Sequence, residues 1–310
     1  MIKDIPTHLD FEKVGLQCIS KAFEMLYKVG NRYAEIVEED SINDEVTEEI
    51  FWTHNTITVR TSLIVLFQGI EYLMKGKITE QSALLLIENN RTDWPSLPEK
   101  KDKNFDEMQT ISGENLLSVF CAINPLQLNL GDFVKQFEEL RLKRNKLVHS
   151  TGVETLDYKY VVEKTLFFLS EFYSKDRWVG LFREMFTSEP TFGYWDADVE
   201  GAYFYRILNF VEASLTKGQI NKFLNYDIKA RRYLCPECTY WLNKHEHNGP
   251  KPKWGFLKPN TPDSTILDCL ICGKEYSIER KDCKCKSCKG NVINSDNIED
   301  LCLSCYNEEE

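Results

Sequence analysis

The chain has 310 residues, 42% hydrophobic and 12% aromatic, with a net charge of −11 and eleven cysteines. That length can build one substantial core and a smaller appended module, so two domains are the expected count. Lys3, Asp4, Pro6 and Asp10 occupy the stretch where an export signal needs an apolar core, and no apolar run approaches the ~18 residues of a membrane span, so a cytoplasmic chain with no membrane partner is expected.

Residues 9–39 place Leu9, Leu16, Ile19, Phe23 and Leu26 at helical spacing among polar residues, which predicts a long amphipathic helix. A second, more apolar helix is predicted over 56–75. Residues 91–110 contain two prolines and a charge cluster and predict an exposed loop. Helices follow over 113–123, 131–149 and 154–173, and a last aromatic-rich helical stretch runs from 201 to about 232. Strand signals are sparse before residue 235. The expected fold class is therefore mainly α: a helical domain over 1–175, a helical extension or linker over 176–232, and a small cysteine-rich module over 233–310.

Nine of the eleven cysteines fall between residues 235 and 305, a clustering that points to metal rather than to a secreted disulfide framework. Four C-x-x-C pairs stand there: Cys235/Cys238, Cys269/Cys272, Cys285/Cys288 and Cys302/Cys305. The two-residue spacing lets both thiolates of a tight turn meet one tetrahedral ion, and four sulfurs close a structural zinc site with no position left for water. Zinc-dependent catalysis is disfavoured on that ground. Sequential pairing would put the first four cysteines in one site and the last four in another. Interleaved pairing stays open, as does replacement of a ligand by His245 or His247, or of Cys285 by Cys283. Gly273, next to Cys272, suits a turn at positive φ. Cys18 and Cys121 lie in helical patterns and are expected as buried apolar fillers.

Charge is uneven. Residues 228–290 hold thirteen Lys and Arg against seven Asp and Glu, whereas 291–310 hold six acids and no Lys or Arg. An acidic body thus leads into a basic strip at the cysteines, with Lys229, Arg231 and Arg232 at its start, a pattern suited either to touching phosphates or to an ordinary solvated surface.

In the helix over 131–149 the apolar stripe runs through Phe133, Phe137, Leu140 and Leu147, and Arg144 stands where a leucine is expected. In the helix over 56–75 and just beyond it, Ile57, Ile64, Phe67, Met74 and Ile78 mark one face, interrupted by Glu71. Buried charges are costly unless paired, so Glu71 and Arg144 are expected to meet, the alternative being that Glu71 pairs with Lys75 and Arg144 reaches water. Asn145 and His149, four apart, share a face, and Arg144 points about 140° from His149. Arg141, Asn145 and His149 line one side. Ser150, Thr151 and Gly152 read as a helix stop, leaving His149 in the last turn, where the helix dipole favours its protonated form. An imidazole that moves the proton of a ribose 2′-OH or of the leaving 5′-oxygen, with a guanidinium against the phosphorane, suffices for metal-free RNA cleavage. One histidine cannot readily do both jobs, which favours a symmetric partner.

The run L-R-x-x-R-N-x-x-x-H, ending the segment from Phe137 to His149, resembles the R-x4-6-H motif of the HEPN superfamily in its common RN form. The upstream LFQGIEYLMKGKI, Leu66 to Ile78, is similar to the helix that family places before the motif, where an acidic residue faces the motif arginine. The resemblance covers about residues 10–175. It implies an up-and-down helical bundle that dimerises so that two motifs form one cleft, and a ribonuclease that cuts RNA without metal, commonly as a toxin or in antiviral defence, where a regulatory partner or antitoxin fits. By the resemblance Arg144 and His149 are catalytic, Asn145 orients the histidine or a phosphate, and Glu71 holds Arg144. The other reading is a non-catalytic HEPN-like dimer, a scaffold or nucleic-acid-binding adaptor that recognises its target through zinc ribbons.

Overall fold

A computed structural model describes residues 1–38, 47–95, 100–126, 128–149, 156–173, 175–187, 197–224, 226–227, 229–245, 253–296 and 300–306. The chain divides into two compact units, Met1–Ser174 and Lys175–Glu310. The boundary falls before the segment expected as an extension, so residues 175–232 fold with the cysteine module.

The first unit is built on two long helices, α1 (His8–Glu38) and α3 (Thr56–Thr79). They run antiparallel and close, because glycines meet at the crossing: a Cβ at Gly69 would stand 2.8 Å from Ile19 Cγ1 and 2.9 Å from the Gly15 carbonyl oxygen. α3 is packed by α1, by α4 (Gly113–Ile123), by α5 (Leu130–His149) and by α6 (Tyr158–Phe172). Neighbours on most sides explain why its buried set, Val59, Leu63, Leu66, Phe67, Ile70, Leu73, Met74 and Ile78, is broader than a single stripe. Ile57, expected on that face, is 73% exposed. α3 is also long and apolar enough to cross a bilayer, contrary to the expectation that no run is; half of its apolar window is buried in the protein, as in any central core helix. Phe133 of α5 anchors an aromatic cluster with Phe120 of α4 and Phe168 and Phe172 of α6.

Two short elements escaped the sequence pattern. Helix α2 (Glu48–His54), capped by Thr47, stacks Trp52 on Tyr158 at 3.8 Å. Strand β1 (Ile2–Lys3) pairs in parallel with β2 (Lys103–Asn104), with Lys3 Nζ 2.8 Å from Asp102. That pairing and the burial of Phe105 and Met108 mean that the described part of the expected 91–110 loop is partly ordered against the core; residues 96–99 lie outside the described residues, as do Ser150, Thr151 and Gly152, the expected stop after α5.

The second unit contains α7 (Lys175–Thr187), α8 (Ala197–Ser214), α9 (Lys217–Phe223) and α10 (Pro236–His245), then an antiparallel sheet in the order β3 (Gly255–Leu257), β4 (Ile266–Cys269), β5 (Glu275–Glu279), β6 (Ile293–Asn294) and β7 (Leu301–Cys302). The single helix expected over 201–232 breaks because Thr216 and Gln219 form a capping box that starts a new helix. Trp254 is fully buried and donates from Nε1 to Asn209 Oδ1 of α8 at 3.1 Å, tying helix to sheet.

Candidate functional site

The first cysteine cluster gathers Cys235 and Cys238, at the start of α10, with Cys269 at the end of β4 and Cys272 in the turn that follows. Its Sγ–Sγ separations include 3.8 Å for Cys235–Cys272 and 3.9 Å for Cys238–Cys269. A tetrahedron with ~2.3 Å zinc–sulfur bonds has edges of ~3.8 Å, so the sulfurs stand where a four-coordinate ion needs them. The turn has the geometry a metal-binding knuckle needs: the Gly273 amide donates to the Cys269 carbonyl at 2.8 Å, and Gly273 sits at φ +69°, where a Cβ would also come within 2.5 Å of Arg183 Nη2. Arg183 brings a guanidinium to the thiolate turn. Burial holds the Cys269 thiol well above the usual range, so ionising these sulfurs together requires a cation among them.

The second cluster is Cys283, Cys288, Cys302 and Cys305, with Sγ–Sγ separations of 3.8 Å for Cys283–Cys305 and 3.9 Å for Cys288–Cys302. Pairing is sequential, but Cys285 is not in the group and Cys283 takes its place. The physical reason is in the turn. The Cys285 amide donates to Cys283 Sγ at 3.4 Å and the Gly290 amide to Cys288 Sγ at 3.2 Å, which are bonds that support thiolate ligands. The Cys285 sulfur lies 3.3 Å from Ser287 Oγ. Both clusters can hold a metal ion such as zinc. The alternative ligands fall outside this comparison: the His245 backbone ends α10, but its side chain and the whole of His247 lie outside the described residues. Cys18 and Cys121, expected as buried, are half-buried with thiols pushed up by desolvation.

In the first unit Arg144 does continue the apolar stripe of α5. Its Cζ lies 5.7 Å from the Phe67 ring centroid, and its buried Nε has no hydrogen-bond partner. The expected Glu71–Arg144 ion pair, however, does not form. Glu71 Oε1 instead accepts from the Gly113 amide at 2.7 Å, because the positive-φ start of α4 presents a free N–H to the edge of α3. Arg144 Nη1 donates to Asn145 Oδ1 at 2.9 Å. Arg141 is taken up by Glu138, Nη2 to Oε2 at 2.7 Å, so the expected trio reduces to Asn145 and an exposed His149 in the last turn of α5.

Arg60 was not foreseen. Its Nη2 donates to the Leu147 carbonyl at 3.2 Å and so ties α3 to the end of α5. Its position seven residues before Phe67 puts it on Phe67's side of α3, a signal the sequence did carry.

The basic lead-in to the cysteines is largely committed within the protein. Arg232 donates to Glu212 Oε2 at 2.9 Å and lies over Trp254 at 4.7 Å, while Arg231 Nη2 reaches Ser304 Oγ at 3.4 Å. Lys229 is exposed. No protein-family model, no curated protein and no solved structure matches this chain.

Proposed function

We propose that the first unit is a metal-independent endoribonuclease of the HEPN type, an up-and-down helical bundle acting as a homodimer on RNA. The observation that carries this reading is the Arg144–Asn145 hydrogen bond one turn before an exposed His149 at the end of α5. Two such helix ends from two chains supply two imidazoles and two guanidiniums. One His149 removes the proton of a ribose 2′-OH as that oxygen attacks the adjacent phosphorus; the other protonates the departing 5′-oxygen. Arg144 neutralises the charge that builds on the phosphorane, and the products are a 2′,3′-cyclic phosphate and a 5′-hydroxyl. Asn145 orients the guanidinium through its side-chain carbonyl, and Arg60 steadies the end of α5.

In this reading the two cysteine clusters hold structural zinc, and the second unit grips the RNA. Four thiolates per ion leave no coordination position for a reacting water. A toxin or antiviral role, with a restraining partner or antitoxin, is what the motif's resemblance suggests for such an activity.

The test is to incubate the protein and its His149→Ala variant with mixed cellular RNA in chelator, after checking that both stay folded. Cleavage by the parent alone, leaving 2′,3′-cyclic phosphate ends, supports the reading. Equal cleavage by both removes His149 from the mechanism. RNA binding without cleavage by either favours the non-catalytic adaptor.

A further inference from the structure

Two lysines near the first cysteine cluster are held by acids. Lys274 Nζ lies 2.6 Å from Glu237, and Lys258 Nζ lies 2.9 Å from Glu275 and 3.9 Å from Asp268. Arg183 of α7 differs. Among the described residues its guanidinium makes no hydrogen bond and no ion pair, and its Nε is buried. The ring of Phe204 in α8 lies 5.9 Å from its Cζ. Asp268 feels its field from beyond bonding distance and already faces Lys258. A partly buried guanidinium with no such partner is costly unless another negative charge answers it.

Gly273 shows where that charge is. A Cβ built there would stand 2.5 Å from Arg183 Nη2 and 2.9 Å from Cζ, with Nη1 nearer still. Both Nη atoms are therefore closer than Cζ, and the fork of the guanidinium points at the turn between Cys269 and Cys272. Only a residue without a Cβ leaves that approach open. The same side chain lines a cavity of about 330 Å³ together with Lys258, Asp268 and Glu275. An anion entering the cavity would meet two carboxylates, so it is poorly placed to answer Arg183. The cysteine turn is better placed, because four thiolates around a divalent ion carry a net negative charge.

We infer that Arg183 is a positioning residue of the first metal centre: from α7 it balances the thiolate charge at the Cys269–Cys272 turn and raises the affinity of that cluster for a divalent ion. The inference rests on the reading that the clusters hold zinc and is independent of RNA cleavage. Partners one layer beyond the ligands change metal affinity by about 10–100-fold.

The experiment measures, at equilibrium, the transfer of zinc from the full chain to a competing chromogenic chelator. Arg183→Met, which keeps an unbranched side chain beside Phe204, should weaken one of the bound ions about tenfold or more and leave the other unchanged. Arg183→Lys keeps the charge and should recover part of that loss. Asp268→Asn removes a negative charge beside the same turn and should tighten the same ion, a shift of opposite sign that a packing role would not produce. If Arg183→Met does not fold, Asp268→Asn decides, and unchanged or weaker binding in it overturns the inference. A parent that binds no ion sinks the zinc reading and this inference with it. Two ions bound equally well by the parent and by Arg183→Met sink this inference alone, as does an equal loss in Arg183→Met and Arg183→Lys.

Discussion

Glu71→Ala distinguishes a carboxylate that neutralises Arg144 from one that anchors the start of α4. Glu71 accepts from the Gly113 amide at 2.7 Å, at the positive end of a helix dipole, and it is half-buried. One residue turn away, Lys75 Nζ donates to Thr110 Oγ1 at 3.2 Å, so α3 holds the 110–113 segment at two points. A charged hydrogen bond of this kind, partly screened by solvent, contributes roughly 1–2 kcal/mol. Loss of the partner of a buried arginine would instead cost about 3–5 kcal/mol. The assay is a double-mutant cycle of Glu71→Ala with Arg144→Met, which keeps the packing on Phe67, read from urea unfolding. Glu71→Ala should destabilise by about 1–2 kcal/mol, and the coupling should stay below about 0.5 kcal/mol, since Glu71 bonds Gly113 and Arg144 bonds Asn145 rather than each other. A coupling above about 1.5 kcal/mol would refute the assignment of Glu71 to Gly113. RNA cleavage adds a second readout: Arg144→Met should abolish it, and Glu71→Ala should leave most of it.

Gly69→Ala should destabilise by about 1–3 kcal/mol in spite of a helix-propensity gain near 1 kcal/mol, because the new Cβ meets the Gly15 backbone oxygen, which cannot rotate away. Gly218→Ala in α9, where nothing lies within 4 Å, should be neutral or stabilising by up to about 1 kcal/mol; thermal unfolding compares the two. Metal analysis should find two ions per chain in the parent and in Cys285→Ser but fewer in Cys283→Ser, following the two four-sulfur groups. Lys3 holds the Asp102 carboxyl down to about 2, so its contribution is present above the unfolded value near 4 and is lost as pH falls through about 2. The protection of the Lys103 amide, which donates to the Met1 carbonyl at 3.1 Å, measured against the exchange of an unstructured peptide at the same pH, should fall over that window and stay level above it.

The long helices were legible because amphipathic spacing over many residues leaves little choice, and α4 spans Gly113–Ile123 as the pattern predicts. The first cysteine cluster was legible for a related reason: two residues between thiols is the geometry of a metal-binding turn, and Gly273 carries the positive φ that the turn needs. Short elements were not, since α2 has seven residues, β1 and β2 have two each, and each depends on contacts far away in sequence.

Periodicity likewise placed Arg144 within an apolar stripe, between Leu140 and Leu147, but it could not supply its partner. A helical pattern says which face a side chain occupies and nothing of which neighbouring backbone arrives there, and the Gly113 amide arrived at Glu71 first. The same limit decided between Cys283 and Cys285. By itself the sequence determined the helical class, the capacity of the C-terminal cysteines to form metal-sized groups and the residue types at the end of α5. Tertiary structure alone decided which sulfurs close each tetrahedron and which charges pair, because those choices turn on distances of a few ångströms between segments that the chain brings together only on folding.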